Sequence, residues 1–322
     1  MHRFWFERAL AATYVPLLGE AEILGAASES PEAPLGRLPG AHAIIAGSRI
    51  RYNAALMDLA PTLRVIARTG IGYDNVDLAA ATARGIIVTN TPDAPSIPTA
   101  EHTVALLLAA ARRVTHSERL LRAAARQDYF AGHDALELAG RTLAVVGLGR
   151  IGGRVAVAMR ALGMRVVGFD PVAPPARFTE LGAAPAATLE EALAQADAVT
   201  LHLPLTQATR HLFDAAMIAR IKQGAILVNC ARGGLVDEAA LLDALERGHL
   251  RGAALDVFEH EPPPPDHPLL SREDVVCTPH VGGASDLSKQ RLVTGAIEQA
   301  LMVLRGERPT CCVNPEVLSL ES

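Results

Sequence analysis

Leu143-Ala-Val-Val146 leads without a break into Gly147-Leu-Gly149-Arg-Ile-Gly152, and a helical pattern follows to about Leu162. A bare G-x-G-x-x-G says little, but an apolar strand before it and a helix after it are the context in which it binds a dinucleotide. Gly147 permits the tight turn, Gly149 lets the backbone approach a pyrophosphate, and Gly152 allows close packing of helix on strand. The diphosphate is expected over the amides at the helix N-terminus, near Arg150 and Ile151. The next apolar run ends in Val167-Gly-Phe-Asp170, which puts an acid 18 residues past Gly152. A carboxylate there hydrogen-bonds the adenosine ribose and repels a 2′-phosphate, so NAD is expected rather than NADP. Arg177, behind several prolines, reads as a poor phosphate clamp. The plainer alternative is a turn of packing glycines followed by a solvated Asp.

Working outward, strands are expected at Thr142–Val146, Arg165–Phe169, Ala198–Leu203, Ala225–Asn229, Ala253–Asp256 and Val275–Cys277, and six strands complete a dinucleotide-binding domain. Upstream, Ala21–Leu24, Ala43–Ala46, Leu63–Ala67 and Ile86–Thr89 read as buried strands. Helical stretches near Ala9–Leu18, Tyr52–Leu59 and Leu78–Ala83 separate them. The segment Thr91-Pro-Asp-Ala-Pro-Ser-Ile-Pro98 holds three prolines in eight residues, which disfavours helix and marks a connection. Further helices are expected from Ala100 to about Arg113 and from Ser285 to Arg305, followed by a tail from Gly306 to Ser322. At 322 residues the chain exceeds what a single core usually supports, so two α/β domains with parallel sheets are expected.

Half of the residues are apolar and a fifth are charged, as in an ordinary globular protein. The formal net charge is −5 with acids and bases interspersed, which gives no electrostatic reason to expect nucleic acid or an anionic membrane as partner. A small metabolite fits better. Arg3, Glu7 and Arg8 near the start, and a longest apolar run of only about Val104 to Ala111, argue against a signal peptide and a membrane span. Cys230, Cys277, Cys311 and Cys312 lack the spacing of a disulfide scaffold or zinc set, so free thiols in a reducing cytoplasm are expected. No H-E-x-x-H or similar spacing occurs, and no metal site is expected. Lys222 and Lys289 are the only lysines and neither lies in a catalytic motif.

Three downstream clusters each follow an expected strand: Val228-Asn-Cys-Ala-Arg232-Gly-Gly, Ala254-Leu-Asp256-Val-Phe-Glu-His-Glu261-Pro and Thr278-Pro-His280. The carboxyl end of a parallel sheet is where α/β proteins bind ligands. Together with Arg68-Thr-Gly-Ile-Gly-Tyr-Asp-Asn-Val-Asp77, Ala100-Glu-His102 and Leu201-His-Leu-Pro-Leu-Thr206, they make the chain resemble the D-isomer-specific 2-hydroxyacid dehydrogenases over nearly its whole length. The resemblance implies that Arg232, Glu261 and His280 are catalytic and that the backbone at Ile71 and Gly72 meets the substrate carboxylate. It also implies cofactor contacts from Pro204, Thr209, Cys230, Ala231, Arg232, Asp256, His280, Gly282 and Gly283, beside Gly147, Gly149, Arg150, Ile151, Gly152 and Asp170. Hydride delivery to a 2-oxo acid leaves charge on the carbonyl oxygen, which a fixed cation and a proton donor must meet. Arg232 can bridge carboxylate and carbonyl with its planar fork, whereas lysine offers a single point charge. His280 would exchange the proton, with Glu261 fixing its ring and stabilising the imidazolium. Singly, each of these residues could equally be a sheet-end cap, a solvated acid or a loop histidine.

The same resemblance implies a Rossmann-type NAD-binding domain over 98–287 and a flavodoxin-like substrate domain built from 1–97, with 288–322 as a C-terminal helix and tail returning to it and a cleft between the domains. It further implies a homodimer through the segment from Glu101 to Ala139. Relatives acting on formate carry Gln at the position of Glu261, and relatives acting on phosphite carry Lys at Ile71, so neither substrate is expected. Control by serine through an added C-terminal domain is not expected either. Ser48, Arg49, Tyr52, Arg68 and Tyr73 are candidate substrate liners, with Arg49 or Arg68 able to meet a second anionic group or to serve only as a surface or hinge residue. The competing reading is a non-catalytic NADH-sensing, corepressor-like protein of the same fold.

Overall fold

The computed structural model describes residues 1–29, 32–123, 128 and 130–319. Two compact units emerge, Met1–Pro95 with Ala284–Ser322, and Ser96–Gly283. Parts of two expected segments, 124–127 and 129 within Glu101 to Ala139 and 320–322 in the tail, lie outside the described residues.

The first unit holds a parallel sheet of β1 (Arg3–Phe6), β2 (Glu22–Ala26), β3 (Ala43–Ala46), β4 (Val65–Arg68) and β5 (Ile87–Thr89), ordered β2-β1-β3-β4-β5. This is the flavodoxin-like order. Successive residues face opposite sides: Ile44 and Ala46 join one buried cluster with Trp5, Ile66 and Val88, while Ala43 and Ile45 join another with Phe4, Phe6 and Val65. The helix Asp286–Leu304 covers the second face through Ala296, Ile297, Ala300, Val303 and Leu304. Each such fully buried aliphatic side chain contributes about 1.5–3 kcal/mol. Ser285 starts the helix by accepting the amide of Ser288. Asn314, fully buried, ties the tail to the sheet edge, accepting from Val88 N and donating to Ile86 O.

The second unit holds β6 (Thr142–Val146), β7 (Arg165–Phe169), β8 (Ala184–Pro185), β9 (Ala198–Leu201), β10 (Ala225–Asn229), β11 (Leu250–Leu255) and β12 (Val275–Cys277). Their order, β12-β11-β10-β9-β6-β7-β8, is that of the Rossmann fold with one added strand at the far edge. Leu143 and Val145 face one core while Ala144 and Val146 face the other, so β6 is buried on both sides as a central parallel strand must be.

Several expectations need correction. β1 was not anticipated, because four residues are too few to display a period, yet Phe4 and Trp5 are almost fully buried. β8 was missed for the opposite reason: both residues are exposed on an edge strand, where proline costs no ladder bond. The stretch Ala12–Leu18 is a 3-10 helix containing Pro16, shorter than the helix expected over Ala9–Leu18. Helix Ser96–Ala111 begins inside the proline-rich segment and includes Pro98. Proline is tolerated there because first-turn amides have no partner within the helix. The helix stops at Ala111 and Arg113 turns left-handed at φ 52°, after which a second helix runs Val114–Arg122.

Candidate active site

The glycine loop owes its shape to contacts that only hydrogen permits. Gly147 has φ +94°, and a Cβ there would lie 2.7 Å from the carbonyl oxygen of His202. At Gly152 a Cβ would lie 1.9 Å from the oxygen of Gly147. Gly149 differs, since a Cβ would meet nothing within 4 Å. It opens onto free space at the start of helix Arg150–Ala161, which no side chain caps. Twelve residues of helix end there with amides turned outward, a fit for a diphosphate. His202 lies beneath the loop, its Cδ2 3.1 Å from the Gly152 Cβ position, and burial pushes its imidazole down to about 3, so it serves as neutral packing.

Asp170 is held by backbone on both oxygens: Oδ2 accepts from Leu148 N at 2.8 Å, Oδ1 from Val172 N and Ala173 N. The acid is therefore fixed beside the loop it is expected to serve. Arg177 is the surprise. Its Nε donates to Leu148 O at 3.1 Å and its Nη2 to Gly149 O at 3.2 Å, while Nη1 pairs with Glu180. The expectation of an idle residue is corrected: Arg177 braces the glycine loop from behind. Gly153 makes room for it, since a Cβ there would sit 2.3 Å from Nη2.

At the carboxyl ends of β10, β11 and β12 the three clusters come together step by step. Asn229 brackets the turn after β10, its Oδ1 accepting from Ala231 N and its Nδ2 donating to Arg232 O. Arg232 is extended, with φ −147° and ψ 137°, and its Nη1 donates to Ala231 O at 2.7 Å. Gly233 then presses on the neighbouring loop so closely that a Cβ would lie 2.0 Å from the carbonyl carbon and oxygen of Phe258. Phe258 N in turn donates to Glu261 Oε1 at 3.2 Å, and Glu261 Oε2 lies 2.6 Å from His280 Nδ1. A carboxylate on Nδ1 holds that nitrogen as the donor, which leaves Nε2 to exchange a proton. The His280 and Glu261 side chains stay 44% and 35% exposed, so the pair is open to a ligand and serves orientation more than stability.

His280 adopts φ 53°, a left-handed backbone that costs a non-glycine residue about 1–2 kcal/mol. Asp256 holds it there. The His280 amide donates to the Asp256 carbonyl at 2.7 Å, and the carboxylate accepts from Thr278 Oγ1, Val281 N and Gly282 N at 2.6, 2.9 and 2.8 Å. Burial by itself would raise the Asp256 carboxyl, but hydrogen bonds from His102, Thr278 and the two amides outweigh it and keep the group below its ordinary value. With its side chain 2% exposed, Asp256 shapes the loop that carries His280, Gly282 and Gly283.

Of the other expected residues, Thr209 closes the turn after β9 by donating to Pro204 O at 2.7 Å and accepting from Thr206 N. Cys230 is buried, which pushes its thiol up to about 12 and leaves it unreactive. In the first unit, the carbonyls of Gly70, Ile71 and Gly72 are bound by Thr91 N, Asn90 Nδ2 and Arg68 Nε, respectively. Their oxygens are thus turned inward. Arg68, 6% exposed, also donates to Ala46 O, so it is a loop clamp and not a surface residue. Tyr52 is fully buried with its hydroxyl on Glu7 at 2.7 Å, which removes it as a substrate liner. Sequence reasoning gave no role to Asn229, Thr278 or Glu7. Asn immediately after an apolar strand was the available signal for the first.

Among the described residues no helix is long and apolar enough to cross a membrane. Residues 104–282 match the family described as D-isomer specific 2-hydroxyacid dehydrogenase, NAD binding domain. The chain is 43% identical over 298 residues to a D-3-phosphoglycerate dehydrogenase of Methanocaldococcus jannaschii, covering 92% of this chain and 56% of that protein. It is 42% identical over 273 residues to a glyoxylate reductase of Korarchaeum cryptofilum, covering 83% and 81%. The crystal structure of D-lactate dehydrogenase from Aquifex aeolicus, complexed with NAD and lactic acid, superposes with a TM-score of 0.86 at 28% identity, over 97% of this chain and 99% of that one. The chain spans a little over half the length of the phosphoglycerate dehydrogenases it matches.

Proposed function

Since the chain belongs to the D-isomer specific 2-hydroxyacid dehydrogenase family, we propose that it exchanges hydride between NAD(H) and a small D-2-hydroxy or 2-oxo acid. The observation that carries this reading is the 2.6 Å contact of Glu261 with His280 at the end of the sheet whose first strand feeds the glycine loop. When bound, NADH supplies the hydride. Arg232 receives the carboxylate and carbonyl oxygens of the substrate with its planar fork, so that charge developing on the carbonyl meets a fixed cation. His280 donates the proton from Nε2 in reduction and takes it back in oxidation, while Glu261 keeps the ring oriented. The amides of Ile71 and Gly72 take the carboxylate, a role supported by the inward turn of that loop's carbonyls.

Steady oxidation of NADH with a panel of 2-oxo acids, glyoxylate and hydroxypyruvate among them, tests the proposal. Turnover with at least one is expected. Tight NADH binding without turnover across the panel refutes the enzyme and favours the NADH-sensing, corepressor-like reading.

NAD is expected over NADP because Asp170 holds a fixed carboxylate where a 2′-phosphate would sit. Repulsion at roughly 4–5 Å and an effective dielectric near 20 is worth about 3 kcal/mol, or a preference of ~100-fold. Fluorescence titration of NADH against NADPH reads it directly, and Asp170→Ser should narrow the gap. Tighter NADPH binding by the unaltered protein refutes the argument.

A homodimer fits the helix Val114–Arg122, which buries none of its residues and leaves Val114 and Leu121 largely exposed. Cys230, Cys277, Cys311 and Cys312 are all free thiols, which supports a cytoplasmic location.

A further inference from the structure

The hydrogen bonds around Asp256 leave one participant without an assigned task. His102 stands in the second turn of helix Ser96–Ala111, and its Nε2 lies 2.9 Å from Thr278 Oγ1 and 3.4 Å from Asp256 Oδ1. The proton bookkeeping fixes its state at that nitrogen. Thr278 has one hydroxyl proton, and the 2.6 Å contact commits it to the carboxylate of Asp256. Toward His102 the same oxygen can only accept, so Nε2 carries a proton and donates. The ring also packs on the far side of the loop, where the Gly282 Cβ position is 3.2 Å from His102 Cδ2.

His102 thus grips the His280 loop two residues before and two residues after the histidine. Asp256 already has three closer donors in Thr278, Val281 and Gly282, so satisfying its charge does not require His102. What His102 adds is a link from that loop to a different element, a 16-residue helix packed along β10, β11 and β12. A histidine backbone at φ 53° needs such a restraint, because relaxation toward an ordinary conformation would swing the ring away from Glu261. We propose that His102 is a positioning residue for catalysis, its Nε2–H donating to Thr278 and thereby holding the 278–282 loop and the His280 imidazole in register with Glu261. The inference rests on the proposed acid–base role of His280.

The test compares His102→Leu, His102→Gln and Thr278→Val with the unaltered protein, using any 2-oxo acid that the latter reduces. Misplacing a catalytic group by a fraction of an ångström to an ångström costs roughly 10- to 100-fold. His102→Leu should therefore lose about 10-fold or more in kcat, with KM and NADH affinity within about twofold. His102→Gln keeps an N–H donor near the position of Nε2 and should recover most of that loss. Thr278→Val should lose as much as His102→Leu, and the double variant little more, as expected for two members of one link. Hydrogen exchange at residues 278–282 should quicken in His102→Leu, a readout independent of turnover. An unchanged kcat in His102→Leu overturns the proposal, as does an equal loss in the Leu and Gln variants, since a purely space-filling role would not distinguish them. If the unaltered protein binds NADH yet reduces no 2-oxo acid, the functional reading fails. Unaltered exchange at 278–282 in His102→Leu then overturns the restraint by itself.

Discussion

Replacing His280 with alanine is expected to lower kcat by a factor of 100 or more while leaving NADH affinity near its original value. General acid catalysis is typically worth 10²–10⁴-fold, and 100-fold corresponds to about 2.7 kcal/mol of transition-state stabilisation. The cofactor terms are separate: the glycine loop, Asp170 and Arg177 lie at the ends of β6 and β7, and none of them contacts His280 through a hydrogen bond. Stability should change little. The 44% exposed imidazole fills no core space, and alanine bears much the same left-handed strain at φ 53° as histidine does. Stopped-flow and steady-state oxidation of NADH, with a fluorescence titration for binding, give the two numbers. A variant that turns over at the original rate removes His280 from proton transfer.

The sequence carried the second sheet well because its central strands are buried on both faces, and continuous apolar runs such as Thr142–Val146 and Ala225–Asn229 can be read without knowing their neighbours. Glycine requirements are also local, and Gly147 and Gly152 fill the turn and packing roles that spacing alone assigns them. Other features depend on partners that leave no mark in the sequence. Arg177 binds two backbone carbonyls, so nothing in neighbouring side chains announces it. Tyr52 sits beside polar residues and reads as a liner, and only the buried carboxylate of Glu7, 45 positions earlier, explains why it turns inward. Asp256 presents the same difficulty. A buried acid with four donors from its own chain and a solvated cofactor ligand are written identically in one dimension.

Gly233→Ala should be the most damaging single-methyl substitution near the site, because its effect on geometry cannot be absorbed by a side chain. An added Cβ would lie 2.0 Å from both the carbonyl carbon and oxygen of Phe258 and 2.5 Å from Glu259 N, so one backbone segment must move. Gly234 next to it offers the contrast. A Cβ there would first meet Leu205 Cδ2 at 3.2 Å, the end of a flexible side chain that can yield. Overpacking of this kind typically costs 1–3 kcal/mol, and the upper end applies where the obstacle is main chain. For a unit of this size about 3 kcal/mol lowers Tm by roughly 6–12 °C. The kinetic cost should be larger in relative terms. Phe258 N holds Glu261 Oε1, so displacing Phe258 shifts Glu261 and, through it, His280, while displacement on the other side shifts Arg232. Either way the cation and the proton donor lose their common register, and a misplacement near 1 Å costs ~100-fold in kcat/KM. Gly234→Ala should stay within about threefold of the original on the same assay. If instead Gly233→Ala retains both its melting temperature and its kcat/KM, then the contact between Gly233 and Phe258 does not set the distance between Arg232 and the Glu261–His280 pair.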